Sequence, residues 1–321
     1  MGVISIIEII TMGEALIDFV PQQRGCSLEE VRDFHKAAGG APANVAVGLA
    51  RLGAQVAFMG KVGDDAFGRF LKNTLEENGV DTGNLVFSSE AMTTLAFVSL
   101  QEDGERDFAF YRKPGADLLF KINEVKEAYL KTAKIFHFGS LSLTAEPVYS
   151  TTLELVKRVR ENGLLLSFDP NIRLPLWDSE KKAIDRITEL IPVVDVIKVS
   201  EEELFLLSGK DDLREGSREI YRMGPGIVVV TLGKDGCYYY TGSNEGHLRG
   251  VSVKSIDTTG AGDGFVAAFL AKVLQNGLEN LIKDPSLMEE SLSFANRIGA
   301  FVTTIKGGIP ALARIDEMLK K

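Results

Sequence analysis

The stretch "DTTGAGDGF", residues 257–265, decides how the rest of the chain is read. The residues before it, "GVSVKSI", alternate like a strand, and those after it, "GFVAAFLAKVL", carry the apolar face of a helix. The glycine run is therefore expected to be a strand-to-helix turn whose amides project from a helix N-terminus. Such an end carries about half a positive elementary charge and unpaired N–H groups, which together attract anions. Glycines at 260, 262 and 264 also suit nothing more than a tight turn. Asp263, in the middle of the run, bears on that choice. A carboxylate in the first turn of a helix is a favourable cap. Beside a phosphoryl group held by the amides, it is placed to take a proton from an attacking hydroxyl, as phosphoryl transfer requires. The chain contains no GxxxxGK[ST] sequence, and the stretch is not GxGxxG, so neither common nucleotide fingerprint applies.

A second glycine cluster is "AAGGAPANVAVGLARLG", residues 37–53. Ala43 to Leu52 reads as a small-residue helix closed by Gly53, with Asn44 just inside it. Gly39 and Gly40 let a ligand approach the backbone, although close helix packing selects the same residues. Upstream, "MGEALIDFVP" (12–21) places Asp18 in an apolar strand. A buried lone aspartate is uncommon, and two sugar alcohols would satisfy it. Further polar groups sit in "DPNIR" (169–173), "KVSEEEL" (198–204) and "VTLGKDG" (230–236), where parallel strands end and open α/β sheets bind ligands. Glu203 could reach Mg²⁺ through water, while the run Glu201-Glu202-Glu203 also suits a solvated helix start.

Candidate strands lie at 56–60, 95–100, 107–112, 135–139, 164–170, 196–200, 226–233 and 237–241, and the opening "VISIIEII" reads as a first buried strand. Helical segments at 148–163 and 179–191 fall between them, the second capped by Ser179. This alternation predicts an α/β fold with a mostly parallel sheet covered on both faces. One region breaks it: 93–112 reads as a hairpin turned at Asp103-Gly104. With the segment near 14–32 it is expected to form a small lid sheet on a single α/β domain spanning residues 1–321.

With 45 acidic against 36 basic residues the net charge is −9, and no block of five or six Lys or Arg occurs. Nucleic-acid and membrane-surface roles are not expected. Two distant cysteines, Cys26 and Cys237, fit a reducing cytoplasm, and no signal peptide or transmembrane run is read.

The pair "GGAPANVAV" and "DTTGAGDGF" resembles the two signatures of the PfkB, or ribokinase-like, carbohydrate kinases. Matches continue in order through "KVGDDAFG" (61–68), "DGERDFAFYR" (103–112), "DPNIRLPLW" (169–177), "KVSEEEL", "VTLGKDG", "AN" (295–296) and "GGIPA" (307–311), so nearly the whole chain is covered. Within the family the pattern is most similar to fructokinases. The resemblance implies a ribokinase-like, doubly wound, mostly parallel sheet flanked by helices, with a small β-sheet lid. It implies an ATP- and Mg²⁺-dependent kinase forming D-fructose 6-phosphate from D-fructose, with Asp263 as base and Gly260, Ala261 and Gly262 as anion hole. Asp18, Gly39, Gly40 and Asn44 match sugar-binding positions, and Arg106 and Arg112 are further candidates on the lid strands. Thr231, Gly233, Gly236 and Asn296 match the ATP site. Asp257 and the Thr259 carbonyl match a site for a monovalent cation such as K⁺. The family's N-x-x-E metal motif appears as Ser200…Glu203, a departure that leaves the Mg²⁺ role of Glu203 open.

Rival readings are a 2-keto-3-deoxygluconate kinase, for which Arg106, Arg112 and Arg173 would have to meet an acid group, and a ribokinase-type kinase. A non-catalytic sugar-binding regulator on the same fold is a third. His137 is a candidate lining residue at a strand end, Lys61 and Asp64 read as structural, and "CYYY" (237–240) reads as an edge strand. The sequence does not give the oligomeric state, and the unpaired edges of a lid sheet leave a homodimer open.

Overall fold

The computed structural model describes residues 6–23, 25, 27–100 and 106–319, without the side chains of residues 99, 100 and 106–108. The Asp103-Gly104 turn and Cys26 lie outside the described residues. The strands are β1 (Ile9–Met12), β2 (Leu16–Pro21), β3 (Phe34–Gly39), β4 (Val56–Gly63), β5 (Asp81–Ser88), β6 (Leu95–Leu100), β7 (Arg106–Tyr111), β8 (Ile135–Gly139), β9 (Leu165–Asp169), β10 (Val196–Ser200), β11 (Ile227–Thr231), β12 (Cys237–Tyr240) and β13 (Glu245–Leu248). The helices are α1 (Ala41–Arg51), α2 (Ala66–Glu77), α3 (Glu127–Leu130), α4 (Val148–Glu161), α5 (Glu180–Leu190), α6 (Glu201–Ser208), α7 (Leu213–Met223), α8 (Ala261–Asn276), α9 (Leu278–Lys283), α10 (Pro285–Val302), α11 (Gly308–Leu312) and α12 (Ile315–Leu319).

Nine strands form one sheet in the order β13-β12-β11-β10-β9-β8-β1-β4-β5. From β11 to β5 every pairing is parallel, and β12 and β13 add an antiparallel end. The chain winds outward from β1 through β4 and β5, then restarts at β8 on the other side. The order reverses between β1 and β8, the place where such sheets leave a crevice at their carboxyl ends. The central strands are apolar on both faces because helices cover both. One buried layer includes Val45, Leu49, Phe265, Phe269 and Ile298 from α1, α8 and α10. The other includes Leu155, Val159, Ile187, Leu204 and Ile220 from α4 to α7.

Local sequence sets the helix starts. Ser179 Oγ accepts from Lys182 N ahead of α5, Asp65 accepts from Gly68 N ahead of α2, and Ser200 with Glu203 forms a capping box on α6. A separate four-stranded sheet has the order β3-β2-β6-β7. The hairpin partner of β2 is thus Phe34–Gly39, beyond the 14–32 window.

Three readings need correction. Residues 250–256 form no strand; Val251, Val253 and Ile256 are exposed, and the last strand of this region is instead β13. Tyr238–Tyr240 do not form an edge, because β13 pairs outside β12. The first strand begins at Ile9, later than the apolar run suggests, since pairing with β4 and β8 starts there.

Phe138 is fully buried and stacks on Phe168 at 4.6 Å between centroids. Phe138→Ala is expected to lower the unfolding free energy by about 3–5 kcal/mol, read by urea denaturation.

Candidate active site

A cavity of ≈ 300 Å³ opens between the two sheets at the carboxyl ends of the parallel strands. Leu16 and Asp18 of β2 and Phe110 of β7 line it from the small sheet; Asn44, Lys198 and Asp263 line it from the body. A second cavity, of ≈ 580 Å³, carries Thr231, Gly233, Gly236 and Asn296 on its wall. Thr258 and Gly262 line both, so the two spaces meet at the N-terminus of α8.

That terminus is uncapped. Its N-cap, Gly260, has φ +78° and no side chain caps the helix. The first intrahelical bond runs from Gly264 N to Gly260 O at 2.8 Å, so the amides of Gly262 and Asp263 precede it. Ala261 N donates to Thr258 O at 3.2 Å and so closes the turn. Of the three amides expected to hold an anion, that of Ala261 is thus engaged within the turn. Gly39 admits Asp18: a β-carbon there would lie 2.1 Å from Asp18 Oδ2.

Asp263 is buried, and Asn44 Nδ2 donates to its Oδ2 at 2.7 Å. Burial raises its pKa, from the ordinary aspartate range to about 6, with nearby Asp169 adding to the rise. The Asn44 bond and the charges of Lys198 and Arg173 hold it down against that rise. The result is a carboxylate ionised at neutral pH yet basic enough to accept a proton.

Several residues on the cavity were not singled out from the sequence. Lys198 lies in the middle of an apolar strand, which was the available signal. Its Nζ is 3.2 Å from both carboxylate oxygens of Asp169, and a β-carbon on Gly262 would lie 3.3 Å from it. Burial disfavours its charge, but Asp169, Glu203 and Asp263 outweigh that and raise its pKa. Glu14 is buried and accepts from Ala41 N at 2.9 Å; burial pushes its carboxyl up to about 7. Asn171 has φ +46°, left-handed backbone that asparagine tolerates better than most residues. With Arg173 it lines both this cavity and a neighbouring one of ≈ 330 Å³.

Other expected positions fall elsewhere. Arg112 is not on the cavity wall. Its Nε donates to Asp117 Oδ2 at 2.8 Å, its Nη1 to Thr144 Oγ1 and its Nη2 to the Leu141 carbonyl, both at 2.9 Å. Arg106 opens β7, and its side chain lies outside the described residues. His137 is buried and shares a 3.0 Å hydrogen bond with Ser167; burial and the Lys198 charge push it down to about 3, so it is neutral. Lys61 is structural, paired with Glu124 at 2.6 Å. Glu203 accepts from Ile172 N at 2.6 Å and Ser200 N at 2.8 Å, pinning the 169–173 loop to α6. Asp257 accepts from Thr259 N at 2.8 Å and Gly307 N at 2.9 Å, joining the loop before α8 to the one before α11. Among the described residues no group of three or more His, Cys, Asp or Glu is arranged to hold a metal, and no helix is long and apolar enough to cross a membrane.

Residues 7–314 match the family model described as "pfkB family carbohydrate kinase". A probable fructokinase-5 of Arabidopsis thaliana is 47% identical over 305 residues, covering 95% of this chain and 94% of that protein. The crystal structure of a fructokinase with bound ATP from Xylella fastidiosa superposes with TM-score 0.88 at 35% identity, covering 98% of this chain and 99% of that one. A fructokinase double mutant from Vibrio cholerae O395, in fructose, ADP and potassium ion bound form, gives 0.86 at 34% identity with 96% of each chain covered.

Gly260→Ala would place a β-carbon 3.0 Å from Gly308 Cα in left-handed backbone. The substitution is expected to cost about 1–2 kcal/mol, measured by urea denaturation.

Proposed function

The chain belongs to the pfkB family of carbohydrate kinases, and from that premise we propose that it transfers the γ-phosphoryl group of ATP to the 6-hydroxyl of D-fructose. The observation that carries this reading is Asp263: a buried carboxylate held by Asn44 beside an uncapped helix N-terminus, where two cavities meet.

In this reading the sugar occupies the smaller cavity, with its hydroxyls on Asp18 and Asn44 and the small sheet as a lid that excludes water. ATP occupies the larger one. Its base lies near Asn296 and its triphosphate runs past Thr231, Gly233 and Gly236 to the amides of Gly262 and Asp263. The sugar oxygen attacks the γ-phosphorus as the bond to the bridging β–γ oxygen breaks, and the hydroxyl proton passes to Asp263. The α8 amides and Lys198 stabilise the charge on the transferring group. Magnesium bound with the triphosphate would supply further neutralisation of the phosphate oxygens, needing few direct protein ligands. Glu203, whose oxygens already take two backbone amides, contributes at most through water. A monovalent cation at Asp257 and the Thr259 carbonyl would reinforce the anion seat. Kinase activity is accordingly expected to rise when K⁺ replaces choline at constant ionic strength.

Glu14, Asp18 and Asp263 share the wall with Lys198 and Arg173, and of the arginines that an acid sugar would call on, Arg112 is already spent on Asp117. We also place the protein in the cytoplasm, consistent with the buried free thiol of Cys237, and expect a homodimer through the small sheet, whose edges are β3 and β7.

A coupled ADP-release assay with fructose, ribose, glucose and 2-keto-3-deoxygluconate should give the highest kcat/KM with fructose. Preference for the acid sugar would overturn the substrate assignment. Asp263→Asn is expected to lower kcat by about 10²–10⁴-fold with ATP binding retained. With the Asp263 pKa at about 6, kcat/KM should fall tenfold per unit below that pH and level off above it. Because the Asn44 bond lowers that pKa, Asn44→Ala should move the acid limb to higher pH.

A further inference from the structure

We propose that Asp117 is the pin of a hinge that sets the position of β6 and β7 over the sugar, making it a positioning residue for phosphoryl transfer. The inference rests on the kinase reading above. The chain enters this half of the small sheet just after Thr94 and leaves it just before Arg112. Both crossing residues converge on one carboxylate. Thr94 Oγ1 donates to Asp117 Oδ1 at 2.5 Å, and Arg112 Nε donates to Oδ2 at 2.8 Å. Arg112 and Asp117 are each about 5% exposed, so the cluster is dry.

The backbone holds the same two segments side by side. Ala116 N donates to Met92 O at 2.9 Å, and Gly115 N to Arg112 O at 2.8 Å. The arrangement leaves no spare volume. A β-carbon on Gly115 would lie 2.3 Å from Thr94 Oγ1, 2.7 Å from Asp117 Oδ1 and 2.8 Å from Arg112 Cγ. The pin also touches the reaction chamber, because Arg112 Nη2 holds the carbonyl of Leu141, whose residue lines the sugar cavity. Thr94 O in turn accepts from Ile17 N of β2 at 3.1 Å, next to Asp18. One carboxylate therefore ties both lid crossings to the cavity wall.

A buried ion pair adds little net stability compared with packed apolar residues, but the planar guanidinium fork fixes direction. Directional control is what a lid needs, since a lid set wrongly admits water to the γ-phosphate.

The test uses Thr94→Val, which removes one hydroxyl and leaves the ion pair, together with Asp117→Asn. Steady-state fructose and ATP KM values and ATP hydrolysis without sugar are measured for each and for the wild type. Thr94→Val is expected to raise the fructose KM, and the ratio of sugar-free hydrolysis to sugar phosphorylation, by about three- to tenfold, with the ATP KM unchanged. Asp117→Asn should exceed it on both. Variants that lose thermal stability but keep the wild-type fructose KM and hydrolysis ratio overturn the hinge and leave a structural staple. If Asp117→Asn does not fold, Thr94→Val decides alone. A wild-type protein that phosphorylates no sugar overturns the kinase reading, and the hinge with it.

Discussion

The hydrogen bond from Asn44 Nδ2 to Asp263 Oδ2, 2.7 Å long and spanning 219 positions of the chain, is the constraint on which the site depends. It joins the first turns of α1 and α8, so the two glycine signatures become two sides of one cavity. The helices must lie close for it to form. A β-carbon on Gly48 would sit 2.7 Å from Ala267 Cβ, so small residues in α1 are a packing requirement as much as a binding one. The same bond offsets part of the desolvation of Asp263, keeping a fully buried carboxylate within reach of ionisation at neutral pH.

Around that bond the charges form a dependent set. Lys198 keeps its proton against burial because Asp169, Glu203 and Asp263 surround it. Asp169 both anchors Lys198 and raises the pKa of Asp263, so one side chain acts on both charged groups at the cavity. Glu203 is pushed upward by burial and restrained by Lys198, and its contact with Ile172 N fixes the stretch that carries Asn171 and Arg173, while its contact with Ser200 N closes the capping box of α6. It therefore acts on the chamber through the loop that it fixes, whatever it adds through water.

The small sheet meets the body through carboxylates placed at its roots. Asp65 caps α2 and also accepts from Thr93 N and Thr93 Oγ1, both at 2.8 Å, one residue from the contact that Thr94 makes with Asp117. These short polar clusters fix where the strands of the small sheet emerge, while their aromatic side chains, such as Phe19 stacked on Phe97 at 4.7 Å, hold the strands to one another.

Alternation, apolar runs and caps were enough to read the strands at 95–100, 135–139 and 196–200 and the helix behind Ser179, because those signals are local. Two glycine signatures with Asp263 and Asn44 carried the resemblance to the carbohydrate kinases, and the structure brings both to one cavity. Residues 250–256 show the limit: alternation suits a strand, yet Val251 and Val253 line the larger cavity. The role of Arg112 was equally hidden, because a guanidinium is free or spent according to which carboxylate faces it, and Asp117 gave no sign of doing so. Residue types and spacing thus determined the fold class, and the two glycine signatures carried the resemblance that identifies the kinase family. The pKa of Asp263, the place of Lys198 and the withdrawal of Arg112 from the cavity were decided by tertiary structure. They depend on distance and burial between groups far apart in the chain, which no local pattern records.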